Sequence, residues 1–405
     1  MSTDTYLYQS DGRLVSMPAD PSFFPAGKRV SARDLTLNIC QLGLWYAQKP
    51  LFQGLQTTSV NGTASTWSMM VLQSEMVDNY DMHTSLTSSQ VIPPQSANYG
   101  QNISDVWLCI GYIAMNNTDT TSVVIAGVND TDTGIIYEGT KVPFVNGHNT
   151  TAFVVDLVTT KGNPFAGTPP RLELGVYQNT AAAVATSVSG KCPSFTVQWA
   201  ASTSVWTSIS IPATPHTWIP QDEVTSGGGG PPYPAGPISP VSAVTMQIEA
   251  ANPTAWLYSP PHAKVTSEGS SQTIASSATF TSIQFPTVTY NLWNMWNTSA
   301  NTRLTIQQAG LYLVAGYVSV AEASTKAGYR AVRLLVNGTT PYGGSTVAAG
   351  TGTKTTGTAL YATDLIQLSV GDYVEVQMAQ TNGSALTINT GSGNASKLIA
   401  LWQCN

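Results

Sequence analysis

Histidine is the side chain best suited to proton transfer near neutral pH. His83 follows closely on Asp78 and Asp81, which could orient it as a base. A catalytic histidine also needs a nucleophile within hydrogen-bond reach, and no Gly-x-Ser-x-Gly motif supplies one. The other histidines are scattered along the sequence: His148, His216 and His262. We therefore predict no catalytic residue.

Carboxylates could instead act in pairs, as in glycosidases, where two of them face each other across a cleft. Such residues are few, and Asp156 and Glu173 have counterparts in Asp364 and Glu375 at corresponding places in the second half of the chain. This recurrence favours structural turns and strand hydrogen bonds over two active sites. The sequence predicts a protein that is not an enzyme.

Metal-ligand patterns are weak. Residues 129–134 alternate oxygen-bearing side chains like half of a calcium loop, but the later glutamate and the flanking helices of an EF-hand are missing. A hairpin turn is the preferred interpretation. The four cysteines are too widely separated for zinc-ligand spacing: Cys40, Cys109, Cys192 and Cys404. We predict no metal and no cofactor.

Aromatic residues give the remaining chemical signal. Trp293 and Trp296 share a short segment with Asn294, and the corresponding segment of the first half carries Tyr80 and His83. Exposed tryptophan beside amides is typical of sugar-binding surfaces, so these five residues are the candidate glycan site. The alternative is a buried aromatic cluster between sheets, because large aromatic side chains dominate protein cores and interfaces.

Composition narrows the class of partner. Only 9% of the 405 residues are charged, the net charge is −6, and the sixteen basic residues form no cluster. Nucleic-acid binding is therefore not expected. With 42% hydrophobic residues the chain can build real cores. So few charges suit a surface largely buried against copies or partners.

The N-terminal sequence lacks the features of a secretory signal, and no apolar run approaches the length of a membrane span. We expect no membrane association. A surface poor in charge and no export signal together predict a virion component made in the host cytoplasm.

The elements that would position any site are β-strands. Residues 310–320 alternate between two apolar faces, with Leu311, Leu313, Ala315 and Tyr317 on one and Tyr312, Val314 and Val318 on the other. A strand that is apolar on both sides must be covered on both sides, by a second sheet or by a neighbouring subunit. Residues 328–338 form the next strand and end in Asn-Gly, a strong hairpin-turn signal.

These strands carry a family resemblance. The Gly-Leu-Tyr-Leu-Val-x-Gly strand, the Arg-x-Val-Arg-Leu-Leu-Val-Asn-Gly strand and the Asp-x-Val-Glu-Val-x-Met strand at residues 372–378 resemble the jelly roll of tumour-necrosis-factor-like (TNF-like) and complement-globular-head domains. The chain resembles in particular the copies of this domain in tailed-phage structural proteins. The resemblance covers about residues 270–405 and implies a jelly roll that usually forms trimers.

An internal repeat extends the same fold to the first half of the chain. Residues 66–71, 78–83 and 106–113 correspond to residues 279–284, 291–296 and 311–318, and three later blocks follow in the same order. Gly111-Tyr112 aligns with Gly316-Tyr317. We predict an all-β chain of two tandem antiparallel jelly-roll β-sandwiches, with an N-terminal arm and one short helix.

The predicted division has four parts. Residues 1–50 form an arm and helix, since residues 31–46 have helical spacing. The proline-rich start is too small to fold alone, so it either docks on another protein or adds a strand to the first jelly roll. Residues 51–223 form the first jelly roll with a following strap. Residues 224–240, rich in Gly and Pro, form a linker, and residues 241–405 form the second jelly roll.

These patterns predict a non-enzymatic virion structural protein of a tailed phage, namely a homotrimeric minor tail or tail-tip protein that binds other virion proteins through its arm. Alternatives are a head fibre or capsid decoration protein, and a receptor-binding adhesin that contacts a host-surface glycan. The surplus apolar residues of the central strands provide the expected trimer interface: Tyr312, Val314, Tyr317 and Tyr361.

Overall fold

The computed structural model describes residues 49–94 apart from 84 and 87, then 105–116, 122–144, 150–160, 170–180, 182–188, 192–202, 260–321, 328–348 and 357–404. The predicted linker lies outside these residues, as do the arm and helix apart from residues 49 and 50. The predicted domain boundaries therefore stay predictions. In the described part of the chain, no helix has the length and apolar character needed to cross a membrane.

Twelve strands form the first jelly roll. They are β1 (Leu51–Leu55), β2 (Asn61–Gly62), β3 (Trp67–Met69), β4 (Ser74–Asp78), β5 (Gln90–Val91), β6 (Asp105–Met115), β7 (Val123–Asp130), β8 (Ile135–Pro143), β9 (Thr150–Thr160), β10 (Leu172–Gln178), β11 (Val184–Ala185) and β12 (Ser194–Ser202). Its front sheet has the order β4-β1-β12-β6-β9, and its back sheet runs β3-β10-β7-β8, with β5 also paired to β10.

The second jelly roll repeats this plan. Its strands are β13 (His262–Thr266), β14 (Thr273–Ile274), β15 (Ser277–Ser282), β16 (Thr287–Asn291), β17 (Arg303–Thr305), β18 (Gly310–Val320), β19 (Tyr329–Val336), β20 (Thr340–Ala348), β21 (Thr358–Leu368), β22 (Tyr373–Gln380), β23 (Leu386–Thr387) and β24 (Lys397–Cys404), with 3-10 turns at Leu292–Asn294 and Thr298–Ala300. The front sheet is β16-β13-β24-β18-β21 and the back sheet is β15-β22-β19-β20, with β17 also on β22. Two tandem antiparallel jelly rolls, predicted from the sequence, are thereby confirmed.

The predicted repeat alignment is confirmed by strand register. Gly111 pairs with Phe195 on β12 and Val154 on β9, and Gly316 pairs with Leu398 on β24 and Ala362 on β21. These are the positions that the sequence comparison placed together.

The two glycines are equivalent for a packing reason. A Cβ at Gly111 would lie 2.3 Å from the Leu174 side chain, and one at Gly316 would lie 2.5 Å from that of Val376. Leu174 and Val376 also occupy matching places on β10 and β22. In both copies a glycine therefore lets the back sheet approach the central strand of the front sheet.

Each copy also buries a glutamine at the end of its β10 or β22 strand. The amide of Gln178 donates to the carbonyls of Gly62 and Ala182, and that of Gln380 donates to those of Ile274 and Ser384. One side chain thus ties the strand end to a short two-stranded sheet and to the following loop. Buried amides of this kind stabilise a fold only when their partners are all present.

Candidate functional site: the contact between the two jelly rolls

The two jelly rolls bury a shared apolar contact. The front sheet of the second jelly roll lies against the edge of the first that is formed by β8 and β9. A backbone bridge between Ala359 and Lys141 joins the two sandwiches. The buried apolar residues of this contact come from both copies: Val106, Leu108, Val155, Leu157, Ala200 and Ala201 from the first, and Tyr290, Ala315, Tyr317, Ala359, Tyr361, Ile399 and Leu401 from the second.

Strand β9 is the last strand of its sheet and pairs only with β6, so alternate carbonyls on its outer side lack a strand partner. The second jelly roll supplies donors for them. Tyr361 Oη donates to the Val155 carbonyl at 2.9 Å. Tyr290 Oη and Lys264 Nζ both donate to the Leu157 carbonyl, at 2.7 and 2.9 Å. These carbonyls at the edge of the first sandwich therefore have hydrogen-bond donors within the same chain.

A buried ion cluster lies at the centre of this contact. Asp156 on β9 accepts hydrogen bonds from Lys264 Nζ at 2.6 Å and from Lys397 Nζ at 2.5 Å, one through each carboxylate oxygen. The carboxylate has no exposed surface, and each lysine side chain is only 4% exposed. Charges withdrawn from water to this degree are tolerated only when they are paired and hydrogen-bonded.

The cluster holds two cations and one anion. Complete burial by itself would raise the pKa of Asp156, but the adjacent ammonium groups of Lys264 and Lys397 outweigh it and lower that pKa. Burial, together with repulsion from Lys264, lowers the pKa of Lys397 despite the attraction of Asp156. The contact therefore depends strongly on the one carboxylate that both lysines share.

Aromatic rings cover the rest of the cluster. Lys264 Nζ lies 4.8 Å from the centre of the Tyr137 ring, and Lys397 Nζ lies 4.7 Å from that of Tyr317. Tyr361 packs beside Tyr317 and also beside Phe153 of the first jelly roll, with ring centres 4.9 and 5.3 Å apart. Such arrangements stabilise buried cations through the negative face of the ring.

The structure separates the four residues predicted to form a trimer interface. Tyr312 and Val314 lie in the core of the second sandwich, whereas Tyr317 and Tyr361 lie in the contact with the first jelly roll. The reason is the alternation along β18, which sends even-numbered side chains inward and odd-numbered ones to the outer face. Within one chain, all four side chains are already covered.

Tyr80 and His83 are buried in the first jelly roll rather than displayed to a ligand. His83 Nδ1 lies 2.8 Å from Glu75 Oε1, and its Nε2 lies 3.1 Å from the Ser88 carbonyl. Both ring nitrogens therefore face acceptors within the chain. This arrangement fixes a loop and leaves no face of His83 for a sugar.

The tryptophan segment keeps part of its predicted character. Trp293 and Asn294 both have left-handed backbone, with φ values of 69° and 52°, and Asn294 is exposed while Trp293 and Trp296 are half-buried against the second core. Asn291 bonds the backbone of Trp296 through both atoms of its amide, at 2.9 Å each. Hydrogen bonds thus fix the turn, and both indoles are partly exposed.

Other candidate groups have structural partners. Glu173 accepts bonds from Ser89 and Asn129, and its counterpart Glu375 accepts one from Thr302. In the predicted hairpin at residues 129–134, the Asp130 carboxylate accepts a bond from the Thr133 hydroxyl at 2.8 Å. Among the described residues, no group of three His, Cys, Asp or Glu side chains could hold a metal ion.

Lys264, Lys397 and Tyr290 are the site residues that sequence reasoning missed. A weak signal was present, because Lys264 lies between Ala263 and Val265, and Lys397 directly precedes an apolar run at residues 398–402, in a chain with only sixteen basic residues. A lysine within an apolar strand indicates a buried partner. Which carboxylate that partner is could not be read from the sequence, because Asp156 lies 108 residues from Lys264.

Comparisons with known proteins find solved structures that match about a third of this chain. The globular domain of zebrafish complement 1qA matches with 12% identity and a TM-score of 0.25, over 36% of this chain and 99% of that one. Murine APRIL matches with 12% identity and a TM-score of 0.26, over 35% and 98%. Eiger TNF from S. frugiperda matches with 10% identity and a TM-score of 0.26, over 36% and 94%. No family model and no curated protein matches the chain.

Proposed function

We propose that this chain is a non-enzymatic structural protein of a tailed-phage virion, assembled as a trimer in the tail or at the tail tip. The observation that carries the non-enzymatic part is the use of ionisable groups. Asp156, His83 and Glu173 are all bound to partners within the fold. Groups engaged in this way hold the sandwich together and are not presented to a substrate.

The phage assignment is supported by sequence. Strands β18, β19 and β22 carry the motifs that resemble the TNF-like jelly rolls of tailed-phage proteins. A chain with 9% charged residues also suits a protein whose surface is covered in an assembly. In this proposal, the N-terminal arm attaches the chain to other virion proteins, and the jelly rolls project from that attachment.

The test is to locate the chain on purified particles. Antibodies raised against the recombinant protein would be gold-labelled and viewed by electron microscopy on intact virions. Labelling at the tail or its tip supports the proposal, whereas labelling of the head supports a head fibre or a capsid decoration protein. Absence of the chain from purified particles, with the protein abundant in the lysate, would contradict a virion role.

A second candidate function is a receptor-binding adhesin that contacts host-surface glycan. The observation that favours it is the left-handed turn at Trp293 and Asn294, because strained backbone is stored at functional sites. Binding of the full chain to a glycan array would test it. Binding that is lost in Trp293→Ala but kept in Val288→Ala, a neighbouring exposed position, supports an adhesin. Equal binding by both variants, or none by the unmodified chain, contradicts it.

A further inference from the structure

Each jelly roll has an edge, where its two sheets end, and the outer face of its front sheet. The contact within the chain joins the edge of one jelly roll to the front sheet of the other. The first jelly roll contributes the edge formed by β8 and β9, and the second contributes its front sheet. The edge of the second jelly roll at β20 and the later half of β21 lacks such a partner, because only the first half of β21 contacts the first jelly roll, at Ala359 and Tyr361. Part of the front sheet of the first jelly roll lacks one as well. We call them the open edge and the open front.

The open front carries apolar side chains where its counterpart is buried. Ile110 is 39% exposed and Val77 is 38% exposed, whereas Ala315 and Tyr290, at the equivalent register positions of the second copy, are 1% and 8% exposed. Leu108, two residues before Ile110, is already covered by the second jelly roll. The uncovered region is therefore continuous with the contact that exists within the chain.

On the open edge, the residues of the second jelly roll are exposed and their equivalents in the first are buried. Leu157 on β9 is completely buried by the second jelly roll, while its equivalent Leu365 on β21 is 56% exposed. Thr363, which corresponds to Val155, is exposed as well. Four exposed residues on these two surfaces thus occupy positions whose equivalents in the other jelly roll are buried in the intrachain contact: Val77, Ile110, Thr363 and Leu365.

From this equivalence we propose that a second copy of the chain occupies each surface. The open edge of one chain, centred on Leu365, docks on the open front of the next, centred on Val77 and Ile110. The contact is head to tail, so every chain gives one edge and receives one. It deepens the self-association in the proposed function, and does not depend on where in a particle the protein resides.

Polar groups on the two surfaces fit each other. Asp364 stands on the open edge at the position of Asp156, and the open front carries Gln53 and Ser194 at the positions of Lys264 and Lys397. An amide and a hydroxyl can donate hydrogen bonds to a carboxylate without burying two cations. Val77 stands on the open front where the second jelly roll has Tyr290, so this surface offers one hydroxyl donor fewer to the edge.

This difference separates the two contacts. Lys264 and Lys397, which pair with Asp156, belong to the second front sheet, so the edge of the first jelly roll matches a second front sheet rather than a first one. The contact between copies lacks that buried cluster and is the weaker of the two. Heterologous contacts close into a ring when their rotation permits, and three chains joined in this way would form the proposed trimer.

The experiment measures the mass of the full chain by light scattering during size-exclusion chromatography at tens of micromolar. Leu365→Asp blocks the open edge, and Ile110→Asp blocks the open front. Val370→Asp is the matched control, because Val370 is 64% exposed in the turn after β21. We expect the unmodified chain and the control to form an oligomer, and each blocked variant to have the mass of one chain.

Mixing the two blocked variants gives a sharper result. Each keeps one competent surface of the opposite kind, so the mixture should form a dimer that cannot grow, while a chain with both substitutions stays monomeric. Thermal melting checks that each variant is folded. If an aspartate variant fails to fold, Leu365→Thr and Ile110→Thr provide the same comparison with less disturbance.

Three outcomes would overturn the proposal. The first is an unmodified chain that remains monomeric at these concentrations. The second is an oligomer whose mass neither variant changes, which would place the contact elsewhere or cover these surfaces with residues 1–48 or 203–259 of the same chain. The third is a mixture that stays monomeric. None of these outcomes bears on the virion assignment, which depends on labelling of particles.

Discussion

The hydroxyl of Tyr361 donates to the backbone carbonyl of Val155 at 2.9 Å, although 206 residues separate them in the sequence. Tyr361 belongs to the β21 strand of one repeat, and Val155 to the equivalent β9 strand of the other. Two copies of one fold therefore meet asymmetrically, with a side chain of one satisfying the backbone edge of the other. The asymmetry follows from residues that differ between the copies.

The first expectation concerns the buried carboxylate. Asp156→Asn should destabilise the chain by about 3–5 kcal/mol, because two buried ammonium groups lose the carboxylate that they share. The equivalent Asp364→Asn should cost less than about 1 kcal/mol, since Asp364 is half-buried and, among the described residues, accepts a bond from the neighbouring Leu365 amide. Urea unfolding followed by tryptophan fluorescence measures both. Equal losses would contradict the special role of Asp156.

The whole cluster should be replaceable even though its parts are not. We expect Asp156→Leu combined with Lys264→Met and Lys397→Met to recover most of the stability that Asp156→Asn loses, because apolar residues of similar volume need no charge partners. The same urea unfolding experiment measures how much of the free energy of unfolding is recovered. A triple variant as unstable as Asp156→Asn would mean that packing, not uncompensated charge, causes the loss.

The next expectation concerns the close approach at Gly316. Gly316→Ala places a Cβ 2.5 Å from Val376 Cγ2, and overpacking of this kind costs about 1–3 kcal/mol. Val376→Ala removes the Cγ2 contact but keeps the Val376 Cβ at 2.7 Å, so the double variant should lose somewhat less than the sum of the two single variants. A double-mutant cycle of unfolding free energies measures this coupling. Additive losses would show that the two positions do not share the contact.

His262 should make stability depend on pH. Burial lowers the pKa of His262 to about 4, although the hydrogen bond between its ring and the Pro260 carbonyl acts to raise that pKa. The unfolded chain therefore binds the proton more tightly, and stability falls as pH drops from about 6.5 to about 4, by roughly 3 kcal/mol. Urea midpoints of the unmodified chain and of His262→Gln at several pH values test this. The stability of the variant should fall less steeply as pH drops. If both proteins lose stability at the same rate, His262 is not the source of the pH dependence.

The last expectation concerns the buried glutamine. Gln380→Leu should cost about 3 kcal/mol, because the carbonyls of Ile274 and Ser384 and the amide of Asn382 all lose a partner. Gln307→Leu is the control, since Gln307 is exposed and makes a single long bond of 3.3 Å. Thermal melting compares the two variants. A neutral Gln380→Leu would mean that water replaces the amide.

The sequence alone was enough to predict the two sandwiches and their alignment. Alternation along residues 310–320 assigned each side chain to a face, because the two-residue period of a strand is local geometry. Glycines placed where sheets approach and repeated blocks in the same order were equally readable, and Gly111 with Gly316 confirms the alignment. The equivalence of His83 with Trp296 was also correct, although it says nothing about exposure.

Tertiary structure decided what covers the outer face. The sequence shows that Tyr317 and Tyr361 need a partner, but another chain and another part of the same chain satisfy that need equally well. The choice depends on contacts between residues more than a hundred positions apart, such as Asp156 with Lys264 and Lys397. Burial of His83 likewise follows from the packing of a loop against Phe52. Local patterns fix which face is apolar, whereas the identity of its partner is a property of long-range packing.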